Sequence, residues 1–249
     1  MKKFLIVSGC SWGDPNFISA EHPDMDTSWK MWPEIVSEKL DMQLINLCKS
    51  GQGQEYIYST ILDTVQKIPA SEIGLVIPAW TTAPRRDYQM SGFSNKRQIW
   101  TADQFDWRGC IEYWIDKSIR HYYSFQCIME FYRIPYKQIQ MISLYTGYMW
   151  EQFKQKGIDV GCNEDKLQGD NYIWKQEYKK LCREQVLNSP YFNKINNTGH
   201  FLNWGDGDKV FDADVIQGTG TIERISKLDA HPNGRGQQQI AEFIYDRLG

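Results

Sequence analysis

Short apolar runs alternate with amphipathic helical stretches along nearly the whole chain. That alternation is the strongest limit on its fold. Phe4-Leu5-Ile6-Val7, residues 43–47, Ile73-Gly74-Leu75-Val76-Ile77-Pro78-Ala79-Trp80 and residues 138–144 read as strands. Between them, Trp32, Ile35, Val36 and Leu40, and then Ile57, Ile61, Val65 and Ile68, fall at helical spacing. Residues 110–133 form the longest helical stretch, with Pro135 setting its end, and further helices are expected over 172–187 and 234–248. Ser28 is the expected cap of the first helix and Asn233 of the last. Pro78 predicts that ladder pairing of the third strand ends about there. The alternation predicts an α/β chain, a three-layer α/β/α arrangement with a mainly parallel sheet covered on both faces. The 249 residues suffice for one such domain, spanning 1–249, with inserted loops near 81–109 and 188–225.

The first strand runs straight into Ser8-Gly9-Cys10-Ser11-Trp12-Gly13-Asp14. Gly9 and Gly13 let the chain leave the strand sharply and present Ser11 at its carboxyl end, where open α/β sheets bind ligands. A serine is a poor nucleophile without a base. Most glycine-serine turns after a strand do no chemistry, so the weight lies in a second signal, Asp229-Ala230-His231-Pro232-Asn233 near the other end. If the two ends meet, a Ser, a His and an Asp share one place. A second glycine turn, Ser50-Gly51-Gln52-Gly53-Gln54, opens a helix. It lacks the third glycine of a dinucleotide fingerprint, since position 56 is Tyr, but its N–H groups can hold an anion.

A formal net charge of -3 and a pI near 5.9 argue against nucleic acid or an anionic membrane as the main partner. The six cysteines include no Cys-x-x-Cys, so a zinc ribbon or a thioredoxin motif is not expected. The first apolar run is too short for a signal peptide and no other segment approaches transmembrane length, which predicts a soluble, cytoplasmic protein. No metal or cofactor is expected. His22, His121 and His200 have no metal-ligand spacing, and Asp206, Asp208, Asp212 and Asp214 do not match a calcium loop.

Taken together these blocks resemble the SGNH hydrolase family, the GDSL-type esterases. Gly9-Cys10-Ser11 stands where the family has Gly-Asp-Ser. Trp32-Pro33, Leu40, Asn46 and Ser50-Gly51-Gln52-Gly53 resemble the helix, strand and second block. Asp229-Ala230-His231-Pro232-Asn233 with Gly236 resembles the last block. The resemblance implies a flavodoxin-like fold and hydrolysis of a carboxylic ester, the substrate being a small-molecule ester or an O-acyl group on a glycan. It implies Ser11 as nucleophile, His231 as base, Asp229 as the acid that orients it, and the Ser11 and Gly51 N–H groups as the oxyanion hole.

Two departures stand out. The family's third block carries an Asn after the third strand, where this chain reads Ala79-Trp80-Thr81-Thr82. Thr81, Thr82, the Trp80 indole and Arg85 are the substitutes within reach, with Trp80 and Arg85 also expected to bind substrate and Arg85 to favour an anionic one. The family's Asp stands three residues before the His, whereas here Leu228 holds that place. The Gly-x-Ser-x-Gly elbow of α/β-hydrolases also fits Gly9 to Gly13, but that fold places several strands before its elbow. Two other functions stay open: a binding or structural module on the same scaffold, and phosphodiester or thioester hydrolysis by the same serine. Trp100 and Trp107 in loops are the grounds for a sugar.

Overall fold

The computed structural model describes residues 2–91, 98–103, 110–144, 170–202 and 222–248. Trp107, Cys162 and the acids Asp206, Asp208, Asp212 and Asp214 lie outside the described residues, as do parts of both expected loop insertions.

Four strands form a parallel sheet in the order β2-β1-β3-β6, where β1 is Phe4–Ser8, β2 Gln43–Asn46, β3 Ile73–Trp80 and β6 Ile139–Gln140. β1 is paired on both edges: Leu5 faces Leu44 and Leu75, and Val7 faces Asn46 and Ile77. Successive side chains of a strand point to opposite faces. Leu5 and Val7 therefore join one core with Val36 of α1 (Trp32–Lys39) and Ile240 and Ile244 of α6 (Gly234–Tyr245). Ile6 joins the other. There it meets Ile57 and Ile61 of α2 (Gln54–Val65), Ile115 and Ile119 of α3 (Ile111–Tyr132) and Val186 of α4 (Asp170–Leu187). Each fully buried Ile or Val contributes about 1.5–3 kcal/mol relative to exposure. The architecture is the three-layer α/β/α expected.

Four local readings are corrected. The first helix is capped at Met31, not Ser28: the Met31 N–H donates to the Glu34 carboxylate at 2.7 Å, and the Trp32 N–H to Gln237 Oε1 of α6 at 3.0 Å. β3 runs past Pro78. Val76 N–H donates towards the β6 side, to the Pro135 carbonyl, so alternation turns the missing N–H of Pro78 to that side too. The ladder has its gap there, between the Val76–Tyr136 bridge and the Ala79–Ile139 pair. The last parallel strand is two residues long because the Met141 and Ile142 N–H groups both turn to the Trp80 carbonyl, at 2.8 and 3.3 Å. Residues read as loop hold an antiparallel hairpin of β4 (Arg86–Ser91) and β5 (Gln98–Asp103) and a short helix α5 (Phe192–Asn196). The Asn233 side chain does cap α6, accepting from Gly236 N–H at 2.9 Å. α3 ends in Arg133 at φ 55°, two residues before Pro135. Among the described residues no helix is long and apolar enough to cross a membrane.

α2 and α3 also meet through a polar pair, with His121 Nε2 3.2 Å from Glu55 Oε2. That hydrogen bond pulls the Glu55 carboxyl down from 4.5 to about 2, against the opposing effect of burial. A carboxyl lowered in the folded state binds fewer protons there than in the unfolded chain, so its stabilisation is present above about pH 4.5 and fades as pH falls towards 2. The pair is partly exposed, so solvent screening limits it to about 1 kcal/mol or less. Glu55→Gln is expected to lower Tm slightly at pH 6, and the difference should shrink between pH 5 and pH 3 in calorimetric scans. A difference that stays constant with pH would show that the Glu55 charge contributes nothing.

Candidate active site

Three loops converge at the carboxyl end of β1. The turn after β1 is laced to the turn after β2. Lys49 N–H donates to the Gly9 carbonyl at 3.0 Å, Asn46 Nδ2 to the Gly13 carbonyl at 2.9 Å, and Ser50 N–H and Oγ–H to Asp14 Oδ2 at 2.7 and 2.6 Å. Gly9 and Gly13 are not at positive φ; they are small because a Cβ on Gly13 would lie 2.8 Å from Cys48 Sγ and one on Gly9 3.0 Å from Ala79 Cβ. Gly51 does need its freedom, with φ at 79°. Among the described residues neither the Ser11 nor the Gly51 backbone N–H donates to another group.

The third loop precedes α6 and brings His231 to Ser11. Ser11 Oγ is 2.8 Å from His231 Nε2, and His231 Nδ1 is 2.5 Å from Asp229 Oδ1. With its proton on Nδ1, facing the carboxylate, the ring leaves Nε2 to accept the Ser11 hydroxyl. The short Asp-x-His spacing reaches because the backbone turns tightly: the same Asp229 Oδ1 accepts the His231 N–H at 2.9 Å. The other carboxylate oxygen accepts the hydroxyl of Ser19. Burial pushes the Asp229 carboxyl up, but the hydrogen bonds from Ser19, the His231 N–H and the His231 ring outweigh it and hold the carboxyl below the usual range. The Phe17 ring lies against the His231 ring, centroids 4.4 Å apart. The loop is seated by Gly236, where a Cβ would fall on the Glu223 carbonyl oxygen.

The residues proposed for the third block are placed differently. Trp80 is wholly buried, its indole N–H donates to Gln138 Oε1 at 2.9 Å, and its ring packs on Tyr122 and Phe125. Its reading as a substrate-binding residue is corrected: it is core. The Thr82 hydroxyl is buried and donates to the Leu144 carbonyl at 3.2 Å. Thr81 is buried too; its hydroxyl oxygen accepts Arg85 Nη1 at 3.1 Å, and Gln54 and Gln140 bind its backbone. Arg85 Nη1 also donates to the Gln52 carbonyl at 3.1 Å, which sets a guanidinium beside the second glycine turn. The anion expected at the start of α2 comes from the chain itself. Asp87 of β4 accepts Gly53 N–H at 2.6 Å and Tyr56 N–H at 2.9 Å. Asp87 lies 34 residues from Gly53 on a strand the pattern did not show, so no local signal could have found it. His121 pairs with Glu55, and His200 packs on Tyr136.

No family model and no curated protein matches the chain. Solved structures similar to it include GDSL-type lipases and esterases. One is the psychrotrophic esterase EstA from a Pseudoalteromonas species, at 13% identity over 98% of this chain and 96% of that one, with a TM-score of 0.48. A GDSL-like lipase from Bacteroides thetaiotaomicron has 11% identity over 99% and 87%, with a TM-score of 0.45. The acetyl xylan esterase AlAXEase has 11% identity over 98% and 98%, with a TM-score of 0.45. The fold class rests on the chain's own parallel order β2-β1-β3-β6, the pattern in which a crevice opens where connections leave β1 in opposite directions.

Asp87 is expected to hold the start of α2 and with it the Gly51 turn. Asp87→Ala leaves two helix-start N–H groups without their acceptor and should cost about 1–2 kcal/mol. For a chain of this length that lowers Tm by roughly 2–8 °C. Asp87→Asn, which keeps one carbonyl acceptor, should cost less. A melting curve for Asp87→Ala within 1 °C of the parent would remove the role.

Proposed function

We propose that the chain is a serine hydrolase acting on carboxylic esters, with Ser11 as nucleophile, His231 as general base and Asp229 as the acid that orients the ring. The observation that carries the reading is the relay of Ser11 Oγ, His231 Nε2, His231 Nδ1 and Asp229 Oδ1 at 2.8 and 2.5 Å, assembled from two ends of the chain. His231 takes the Ser11 proton as Oγ bonds to the ester carbonyl carbon. The carbonyl oxygen becomes an oxyanion, for which the Ser11 and Gly51 N–H groups are the proposed donors. His231 then gives its proton to the departing alcohol, and water, deprotonated by His231 in turn, releases the acid from the acyl-serine. The half-buried Arg85 is the proposed contact for an anionic substrate.

A binding module on the same scaffold is the competing reading. The observation on its side is the third block, where the Trp80 and Thr82 donors are turned into the core.

The test is a panel of chromogenic acyl esters, neutral and carboxylate-bearing, with O-acetylated sugars, a phosphodiester and a thioester, beside labelling by a fluorophosphonate. Ester hydrolysis is expected, with Ser11→Ala and His231→Ala each lowering kcat/KM by about 1,000-fold or more. Arg85→Ala should lower kcat/KM for the carboxylate-bearing esters and spare the neutral ones. Absence of both turnover and Ser11 labelling in the parent chain would favour the binding module. Preferred turnover of the phosphodiester or thioester would change the substrate class and leave the nucleophile in place.

A further inference from the structure

We infer that Ser19 is a positioning residue, set to hold the Asp229 carboxylate for His231 in a chain whose acid stands one residue closer to the histidine than the family pattern has it. The inference rests on the proposed hydrolase reading. At the Asp-x-His spacing, one residue makes double use of one oxygen: Oδ1 takes both the backbone N–H and the ring Nδ1 of His231. That leaves Oδ2 inside the protein, in a residue only 4% exposed. A buried carboxylate oxygen without a donor is costly, and the carboxyl would turn or take up a proton to relieve it. Ser19, itself wholly buried, supplies the donor.

An ionised carboxylate can only accept, so the Ser19 hydroxyl donates to it. His22 N–H donates to Ser19 Oγ at 3.0 Å and holds that hydroxyl in place. The same short segment grips the acid–histidine loop at two further points. Phe17 covers the His231 ring, and His22 Nε2 lies 2.8 Å from Ser226 Oγ. Ser226 Oγ also accepts the Leu228 and Asp229 N–H groups, both at 3.1 Å. Residues 17–22 thus act as a clip that compensates for the short spacing. The plain alternative is that Ser19 merely packs a loop. The two differ in one respect: a packing residue affects the fold whatever stands at 229, whereas a positioning residue acts only through the Asp229 carboxylate.

The experiment is a double-mutant cycle on the full chain with Ser19→Ala, Asp229→Asn and both together, using an active ester and a proton NMR spectrum. Ser19→Ala should lower kcat about 10- to 100-fold, the effect of losing a hydrogen bond to a charged group, with KM within about two-fold. On the Asp229→Asn background it should change kcat by less than about two-fold. The downfield resonance of the His231 Nδ1 proton, assigned by its loss in His231→Gln, should move in Ser19→Ala. An equal loss of kcat on both backgrounds, or an unmoved resonance, overturns the proposal. If Ser19→Ala does not fold, Ser19→Cys, near in shape and a weaker donor, gives the same comparison. If the parent chain turns over no ester yet its resonance responds to Ser19→Ala, the hydrolase reading fails and the positioning role stands.

Discussion

Hydrogen bonding of β1 on both edges leaves the chain at its carboxyl end little choice of where to go. β2 on one side and β3 on the other fix its height and tilt. The turn that follows is then tied to the turn after β2 by Lys49, Asn46 and Ser50. Ser11 sits inside this laced double turn, so its hydroxyl is held by the sheet and not by a free loop. Precision of this kind matters for chemistry, because a misplacement of about 1 Å can cost on the order of 100-fold in rate. The partner residues have no such support from the sheet. Asp229 and His231 lie on irregular chain before α6, seated by Gly236 on one side and gripped by residues 17–22 on the other.

That difference explains what could be read from the residues alone. β1, β2 and β3 were legible as short apolar runs, the first two followed by glycine turns. α2, α3 and α6 were legible because their buried stripes keep helical spacing. The Ser11 and His231 blocks were legible as short motifs. The hairpin was not, since Arg86 to Ser91 is largely polar and, among the described residues, pairs only with its own return strand. β3 is buried on both faces, and its residues give no sign of which side chain faces a crevice and which a core. Trp80 was misread for that reason. Ser19 and Asp87 act across 210 and 34 residues through single hydrogen bonds, and nothing in a local pattern records such partners.

The electrostatics of the acid follow the same division between sheet and loop. Burial alone would push a carboxyl up and favour its neutral form, which cannot stabilise a charged imidazole. At Asp229 three donors reverse that tendency, two of them from His231 itself and one from Ser19. At Asp87 two backbone N–H groups and Arg85 do not reverse it, and burial keeps that carboxyl above its usual range. The two aspartates are both largely enclosed, and the donors around each decide which way it moves. At the proposed centre the donors prevail over burial and favour the charged form.

The absence of an Asn after β3, where the family that the sequence resembles has one, can be weighed in the same terms. A side-chain oxyanion donor contributes about 2.7–4 kcal/mol to a transition state of this kind. Turning the Trp80 indole outward to supply one would leave Gln138 Oε1 buried without its donor, at about 1–3 kcal/mol, and would empty a space now filled by a wholly buried tryptophan, at about 3–5 kcal/mol. The second pair of costs falls on the folded state at all times, whereas the first gain is felt only in the transition state. Together they take about 4–8 kcal/mol from a folded state that is typically only about 5–15 kcal/mol stable. At this position core packing therefore wins, and on the proposed reading the oxyanion is left to the Ser11 and Gly51 backbone N–H groups, whose direction is fixed by the laced turns and by the positive φ of Gly51.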